Sequence, residues 1–248
     1  MEAAAYQEDW LDSYAAPAVA MALQHFREGP RAEGRLLDLG CGNAYRTASL
    51  LELTPRITGL DKNPEMIAVA RARLPALEFV ESAAECMPLP DCAFDYLFAF
   101  STMQYTERAQ ALHECARVLK NDGRAAFVEN LQSSLMGRAY RACHRLMGWS
   151  YLPDMTPKEH LKWQDLGMYE RYFKRVSYTP LHLLSPVLLA GTEIRQRLLG
   201  SGLRAPRQSH YETLNRIDQS LLRKAAWLRR WCLMVVVLAE RPRKPPMS

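Results

Sequence analysis

The residues with the most evident chemistry lie in Leu36-Leu37-Asp38-Leu39-Gly40-Cys41-Gly42-Asn43-Ala44. An apolar run leads into two glycines one residue apart, and a helical pattern follows. Glycines suit a tight turn that a ligand must approach closely, since no Cβ stands in the way. The helix start beyond them offers unpaired N–H groups to a carboxylate. Nineteen residues past Gly42, Asp61 ends the next apolar run, where its carboxylate can accept hydrogen bonds from two ribose hydroxyls. A dinucleotide site is the competing reading of the same architecture. Its fingerprint has a third glycine where this chain has Tyr45.

These residues need a frame. Through residue 130 the chain alternates short apolar runs with stretches of helical period, the pattern of a parallel α/β sheet. Strands are expected at Arg35–Leu39, Arg56–Leu60, Leu77–Val80, Phe94–Phe100 and Arg124–Val128. The intervening helices are Asn43–Leu53, one that Pro64 starts, and one carrying Leu112, Cys115, Ala116 and Leu119. Asn121-Asp122-Gly123 reads as the stop of that last helix. The second half breaks the rhythm. Residues 133–172 hold Trp149, Trp163 and several tyrosines, with Pro153 and Pro157 interrupting the helical pattern, and read as an inserted cap. A strand is expected near Phe173–Thr179, then a helix with Leu214, Ile217, Leu221, Ala225 and Leu228 on its packed face. Cys232–Ala239 is apolar at nearly every position, as in a strand covered on both faces. The chain therefore divides into an N-terminal helical segment (1–34), a cofactor-binding core (35–131), a cap (132–175) and a C-terminal part of the sheet (176–242), all in one domain.

At 248 residues with 48% hydrophobic and 24% charged side chains, the composition is that of one large globular α/β domain. Cys41, Cys86, Cys92, Cys115, Cys143 and Cys232 form no C-x-x-C pair, so neither a metal site nor a disulfide framework is expected. The longest apolar run is far below the roughly 20 residues a membrane span needs, and no signal peptide is evident. The expected location is the cytoplasm. Charge is uneven: residues 1–131 carry 12 Lys/Arg against 19 Asp/Glu, and residues 132–248 carry 20 against 8. The basic half is suited to an anionic partner. Arg216, Arg223 and Arg230 with Trp227, and the Arg138/Arg141/Arg145 run, are the candidates for touching a phosphate-bearing substrate or an anionic membrane surface. A nucleic-acid partner is not expected, because no RNA-binding module appears and the first half is acidic.

Four segments in order, LLDLGCGNA (36–44), TGLDKNPEMIAVAR (58–71), MPLPDCAFDYLFAFSTMQY (87–105) and HECARVLKNDG (113–123), carry a family resemblance. The first 130 residues resemble the class I S-adenosylmethionine-dependent methyltransferases, particularly the ubiquinone-biosynthesis-like group with a methyltransferase-11-type domain. The resemblance implies a Rossmann-like, mostly parallel seven-stranded sheet with an antiparallel last strand, helices on both faces, and a helical cap after the fifth strand. It also implies S-adenosyl-L-methionine as cofactor. Asp38 would stand near the methionine amino group, and Gly40 and Gly42 would line the methionine. Asp61 would bind the ribose, with Lys62 and Met66 beside the adenosine. Ala84 and Glu85 would lie along the adenine edge, and Ser101 by the sulfonium. One departure is Ala83, where the family usually has an acidic residue for the adenine amino group.

Methyl transfer from a sulfonium is a direct displacement, governed largely by alignment and exclusion of water. No fixed set of catalytic residues is required. A hydroxyl acceptor would gain from a general base, for which His144, His160 and Glu129 are the candidates. His113 lies within a helical segment and reads as structural. Tyr6, Trp10 and Tyr14 could close over the cofactor or pack a helix onto the sheet edge. The segment IDQSLLRKAAWLRRWCLMVVVLAERP (217–242) more loosely resembles methyltransferases of polysaccharide and glycolipid biosynthesis. The first expectation is thus O-methylation of a small molecule or of a glycan or glycolipid precursor. A quinone- or polyketide-type acceptor is the second, and a non-catalytic cofactor-binding partner subunit the third.

Overall fold

The computed structural model describes residues 2–29, 31, 33–131, 138, 142, 161–185 and 208–244. Its strands are β1 (Leu36–Leu39), β2 (Ile57–Asp61), β3 (Glu78–Glu81), β4 (Phe94–Phe100), β5 (Leu119–Asn130), β6 (Phe173–Leu181) and β7 (Met234–Pro242). They form one sheet in the order β3-β2-β1-β4-β5-β7-β6. β2 and β4 flank β1 in parallel, β3 is parallel to β2, and β5 is parallel to β4. β7 is antiparallel to β6. Leu233 N–H donates to His182 O and Arg243 N–H to Tyr172 O, so partners descend along β6 as β7 ascends. The sheet class expected from the sequence is the one observed.

Burial explains why these runs are strands. Leu36, Leu37 and Leu39 of β1 and Phe94, Tyr96, Leu97, Phe98 and Ala99 of β4 are fully buried, so both faces are covered and no alternation survives. The helices α1 (Glu2–Arg27), α3 (Pro64–Arg73) and α4 (Arg108–Val118) accompany them. In α4, Ala111, Leu112, Cys115 and Ala116 make the buried stripe, as their spacing predicts.

Three expectations are corrected. The predicted Asn43–Leu53 helix shrinks to α2 (Thr47–Leu50), because Gly42 and Ala44 take left-handed φ values of 53° and 58° that no α-helix allows. α4 ends at Val118, before the Asn121-Asp122-Gly123 stop. Leu119 already pairs with Phe94, and a register shift takes up the next residues before Tyr96 pairs with Arg124. The Gln208–Lys224 helix buries Asp218 and Leu222, whereas Ile217 and Leu221 of the predicted packed face are 45% and 38% exposed. Asp218 turns inward because its carboxylate accepts from the Leu183 and Leu184 N–H groups at 2.9 and 3.2 Å.

Contacts divide the chain into two compact units. One comprises Met1–Ala20, Asn130–Thr156 and Pro180–Val235, and the other Met21–Glu129, Pro157–Thr179 and Val236–Ser248. In the first, His182 is buried, stacks on Tyr14 with ring centroids 3.8 Å apart, and shares a 2.7 Å hydrogen bond between its Nδ1 and Ser185 Oγ. Burial lowers its pKa to about 3. The unfolded chain takes up this proton near pH 6.5 and the folded chain not until about pH 3, so acidification between these values favours unfolding. His182→Phe is expected to flatten the acid side of the stability curve, by up to about 1.4 kcal/mol per pH unit. Denaturant titrations of both proteins from neutral pH downward check this. A constant difference between the curves would show that His182 is not held neutral.

Among the described residues, no helix is long and apolar enough to cross a membrane. No group of three His, Cys, Asp or Glu side chains among them could hold a metal ion. Cys41, Cys86, Cys92, Cys115 and Cys232 are free thiols.

Candidate functional site

The site lies in the second unit, at the turns that leave β1, β2 and β4. Beyond Leu39 the backbone reverses at Gly40, whose φ is +72°, and at Gly42, whose φ is +53°. Gly40 and Cys41 N–H groups both donate to Leu60 O, which ties the turn to β2. The two glycines are required for different reasons. A Cβ on Gly40 would sit 2.3 Å from Thr102 Oγ1, so the residue is a packing contact. A Cβ on Gly42 would meet nothing within 4 Å. That glycine borders open space, as a close ligand approach needs.

Asp61 organises this space. Its Oδ2 accepts the Gly42 N–H and its Oδ1 the Asn63 N–H, each at 2.9 Å. A carboxylate oxygen has two lone pairs, so each keeps one for a ligand hydroxyl. Asn63 in turn caps α3, accepting from Glu65 and Met66 N–H. That fixes Met66, half-buried, and leaves Lys62 exposed.

Asp38 points inward from β1 and is 3% exposed. Thr47 Oγ1 donates to its Oδ2 at 2.6 Å. Burial raises its pKa to about 7, with the Asp61 charge pushing the same way and the Thr47 hydrogen bond opposing. Such a carboxyl is poised to ionise fully when a cation arrives. Arg46, next to Thr47, stacks its guanidinium 4.0 Å from the Phe100 ring centroid.

The third wall follows β4. Ser101 has φ 53° and donates its N–H to Val128 O at 2.7 Å. Thr102 Oγ1 donates to Leu39 O at 2.9 Å, which pins this turn beneath Gly40. Ala84 is buried, and Glu85 Oε1 accepts the Glu107 N–H at 2.8 Å.

The structure therefore joins Gly42 to Asp61 directly, and Gly40 to the Ser101–Thr102 turn through Thr102. Glu129, a candidate general base from the sequence, is fully buried with Oε1 accepting the Thr102 and Met103 N–H groups at 3.3 and 3.1 Å. Burial raises its pKa to about 8. Through Oε1 the side chain holds the turn after β4, while its buried Oε2 has no hydrogen-bond partner among the described residues. His144 and His160 lie outside the described residues, as do most of the predicted cap and Arg141 and Arg145. Thr47, Asn63 and Thr102 were missed as site-shaping residues. Asn-Pro before a helical run is a capping signal for Asn63, but nothing in the sequence marks the two threonines.

Residues 37–127 match the family model described as a methyltransferase domain. That segment is a methyltransferase domain. The matched range holds Asp38, Gly40, Gly42, Asp61 and the Ser101–Thr102 turn. The demethylmenaquinone methyltransferase of Chlorobaculum tepidum is 34% identical over 134 residues, 52% of this chain and 55% of that protein. The chain thus spans about half the length of the curated relatives it matches. Among solved structures, the methyltransferase in complex with the Haloferax volcanii Trm112 activator superposes with a TM-score of 0.60 at 17% identity, covering 99% of this chain and 97% of that one. Geranyl diphosphate C-methyltransferase from Streptomyces coelicolor, solved with Mg2+, geranyl diphosphate and S-adenosyl-L-homocysteine, gives 0.59 at 14% identity, covering 92% and 80%. These likenesses extend the methyltransferase fold beyond the matched segment.

Proposed function

We propose that the chain is an S-adenosylmethionine-dependent methyltransferase acting on a small-molecule acceptor. The observation that carries this reading is the open space over Gly42, bordered by the Asp61 carboxylate. In this reading Asp61 accepts the ribose hydroxyls and Asp38 meets the methionine ammonium. Lys62 and Met66 flank the adenosine, Ala84 and Glu85 follow the adenine edge, and Ser101 lies by the sulfonium. The acceptor's electron pair attacks the methyl carbon, the carbon–sulfur bond breaks, and sulfur keeps that bond's electrons. Excluding water and aligning the three atoms in line supply the rate.

For the acceptor, a glycan or glycolipid hydroxyl is the reading drawn from the chain's second half. A quinone-type ring is the reading favoured by relatives named demethylmenaquinone methyltransferase. Calorimetry with S-adenosylmethionine, then product mass on a demethylated quinol and on a glycan precursor, separates them. Binding without transfer to any acceptor would favour a partner subunit, and absence of binding would overturn the proposal. Asp61→Ala is expected to weaken cofactor binding by about 1.5–3 kcal/mol, because a charged acceptor is lost. Unchanged affinity in a folded variant would mean the ribose lies elsewhere.

A further inference from the structure

Among the described residues, five large hydrophobic side chains are exposed, and Ile217, Leu221 and Trp227 fall within one short stretch. Ile217 and Leu221 are one helical turn apart on the Gln208–Lys224 helix. Trp227, 58% exposed, follows in the 3-10 turn Ala226–Trp231, edge-on to Trp231 at 5.2 Å. Arg216, Arg223, Lys224, Arg229 and Arg230 are exposed in the same stretch, and none forms an ion pair with another described residue. By helical spacing Lys224 lies beside Ile217, and Arg216 and Arg223 lie along the flank about 100–120° round the helix from it. Over residues 209–231 the only acidic side chains are Glu212 and Asp218, and Asp218 is fully buried.

We infer that this face, from Arg216 to Trp231, docks the protein onto an anionic lipid surface. Ile217, Leu221 and Trp227 would enter the headgroup boundary, and the five cations would meet lipid phosphates. Both halves of the interaction are needed. Exposed aliphatic side chains gain by leaving water, and tryptophan favours an interface with one apolar and one wet side. Arginine and lysine in the same stretch gain from the negative potential of an anionic leaflet. Two copies of this face packed about a two-fold axis would oppose ten cations, so charge argues against self-association. A nucleic acid would engage the cations but give the aliphatic pair no apolar environment. The surface lies apart from the Asp38–Asp61 turns in sequence, so the inference stands or falls independently of the proposed methyl transfer.

The test is flotation of the full chain with vesicles of phosphatidylcholine alone or mixed with phosphatidylglycerol, at about 0.1 M salt and at several times that strength. Binding is expected on the anionic vesicles only, weakened by salt. Replacing the five cations by Gln is expected to reduce it roughly a hundredfold. Trp227→Ser with Ile217→Ser is expected to reduce it several-fold while leaving cofactor affinity and the melting temperature unchanged. Quenching by bromolipids is expected in wild type and diminished in Trp227→Phe. Equal binding to both vesicle types, variants that bind like wild type, or a concentration-dependent dimer abolished by the Trp227/Ile217 variant would each overturn the inference.

Discussion

Gly40→Ala is expected to lower folding stability by about 2–4 kcal/mol. Roughly 1–2 kcal/mol comes from holding a residue with a Cβ in the left-handed region. The rest comes from overpacking, since that Cβ would meet Thr102 Oγ1 at 2.3 Å. Gly42→Ala has a similar φ but no neighbour within 4 Å, so it bears only the conformational part, about 1–2 kcal/mol. Its Cβ instead occupies the space where a ligand would approach. The two variants should therefore separate: the first loses mostly stability, the second mostly cofactor affinity. Denaturant midpoints and calorimetry on both read this out. Equal losses of stability would show that Thr102 yields freely and that the contact is not tight.

The second large effect concerns pH. With its pKa near 7 in the free protein, Asp38 is increasingly protonated below neutrality. A ligand ammonium favours the carboxylate, so binding below pH 7 must release a proton. Cofactor affinity is expected to fall by up to about tenfold per pH unit between pH 7 and 5. Asp38→Asn keeps an acceptor for Thr47 and removes the titration. Its affinity should be lower at pH 8 and nearly flat toward pH 5. Calorimetry in two buffers of different ionisation enthalpy would reveal the released proton directly. A flat wild-type profile would remove Asp38 from the ammonium site.

The β1 turn and Asp61 were legible in the sequence because a turn that lets a ligand near its backbone selects glycine, and a strand-end carboxylate stands out against apolar residues. β1, β2 and β4 were legible because burial on both faces leaves apolar runs, whereas β3 exposes Glu78 and Glu81 and leaves only Phe79 and Val80 to mark it. What the sequence hid is where tertiary contacts overrule local preference. Leu119 reads as the last apolar position of α4, yet pairing with Phe94 makes it the start of β5. Ile217 and Leu221 keep helical spacing, yet the helix is rotated because Asp218 is called inward by two backbone N–H groups. No pattern rule anticipates a carboxylate on the packed side. Thr102 and Glu129 act through long-range hydrogen bonds, 63 residues to Leu39 and 27 to Thr102, and such distances leave no periodic trace.

Asp61 grips Gly42 and Asn63 through one oxygen each. These bonds tie the turns leaving β1 and β2 to each other, so under the proposed function the cofactor would meet them already ordered. Little loop entropy is then lost on binding. In kinetic terms, association resembles landing on a prepared surface, with its rate governed by diffusion and orientation. Competing nucleosides would be sorted chiefly by how long each stays bound.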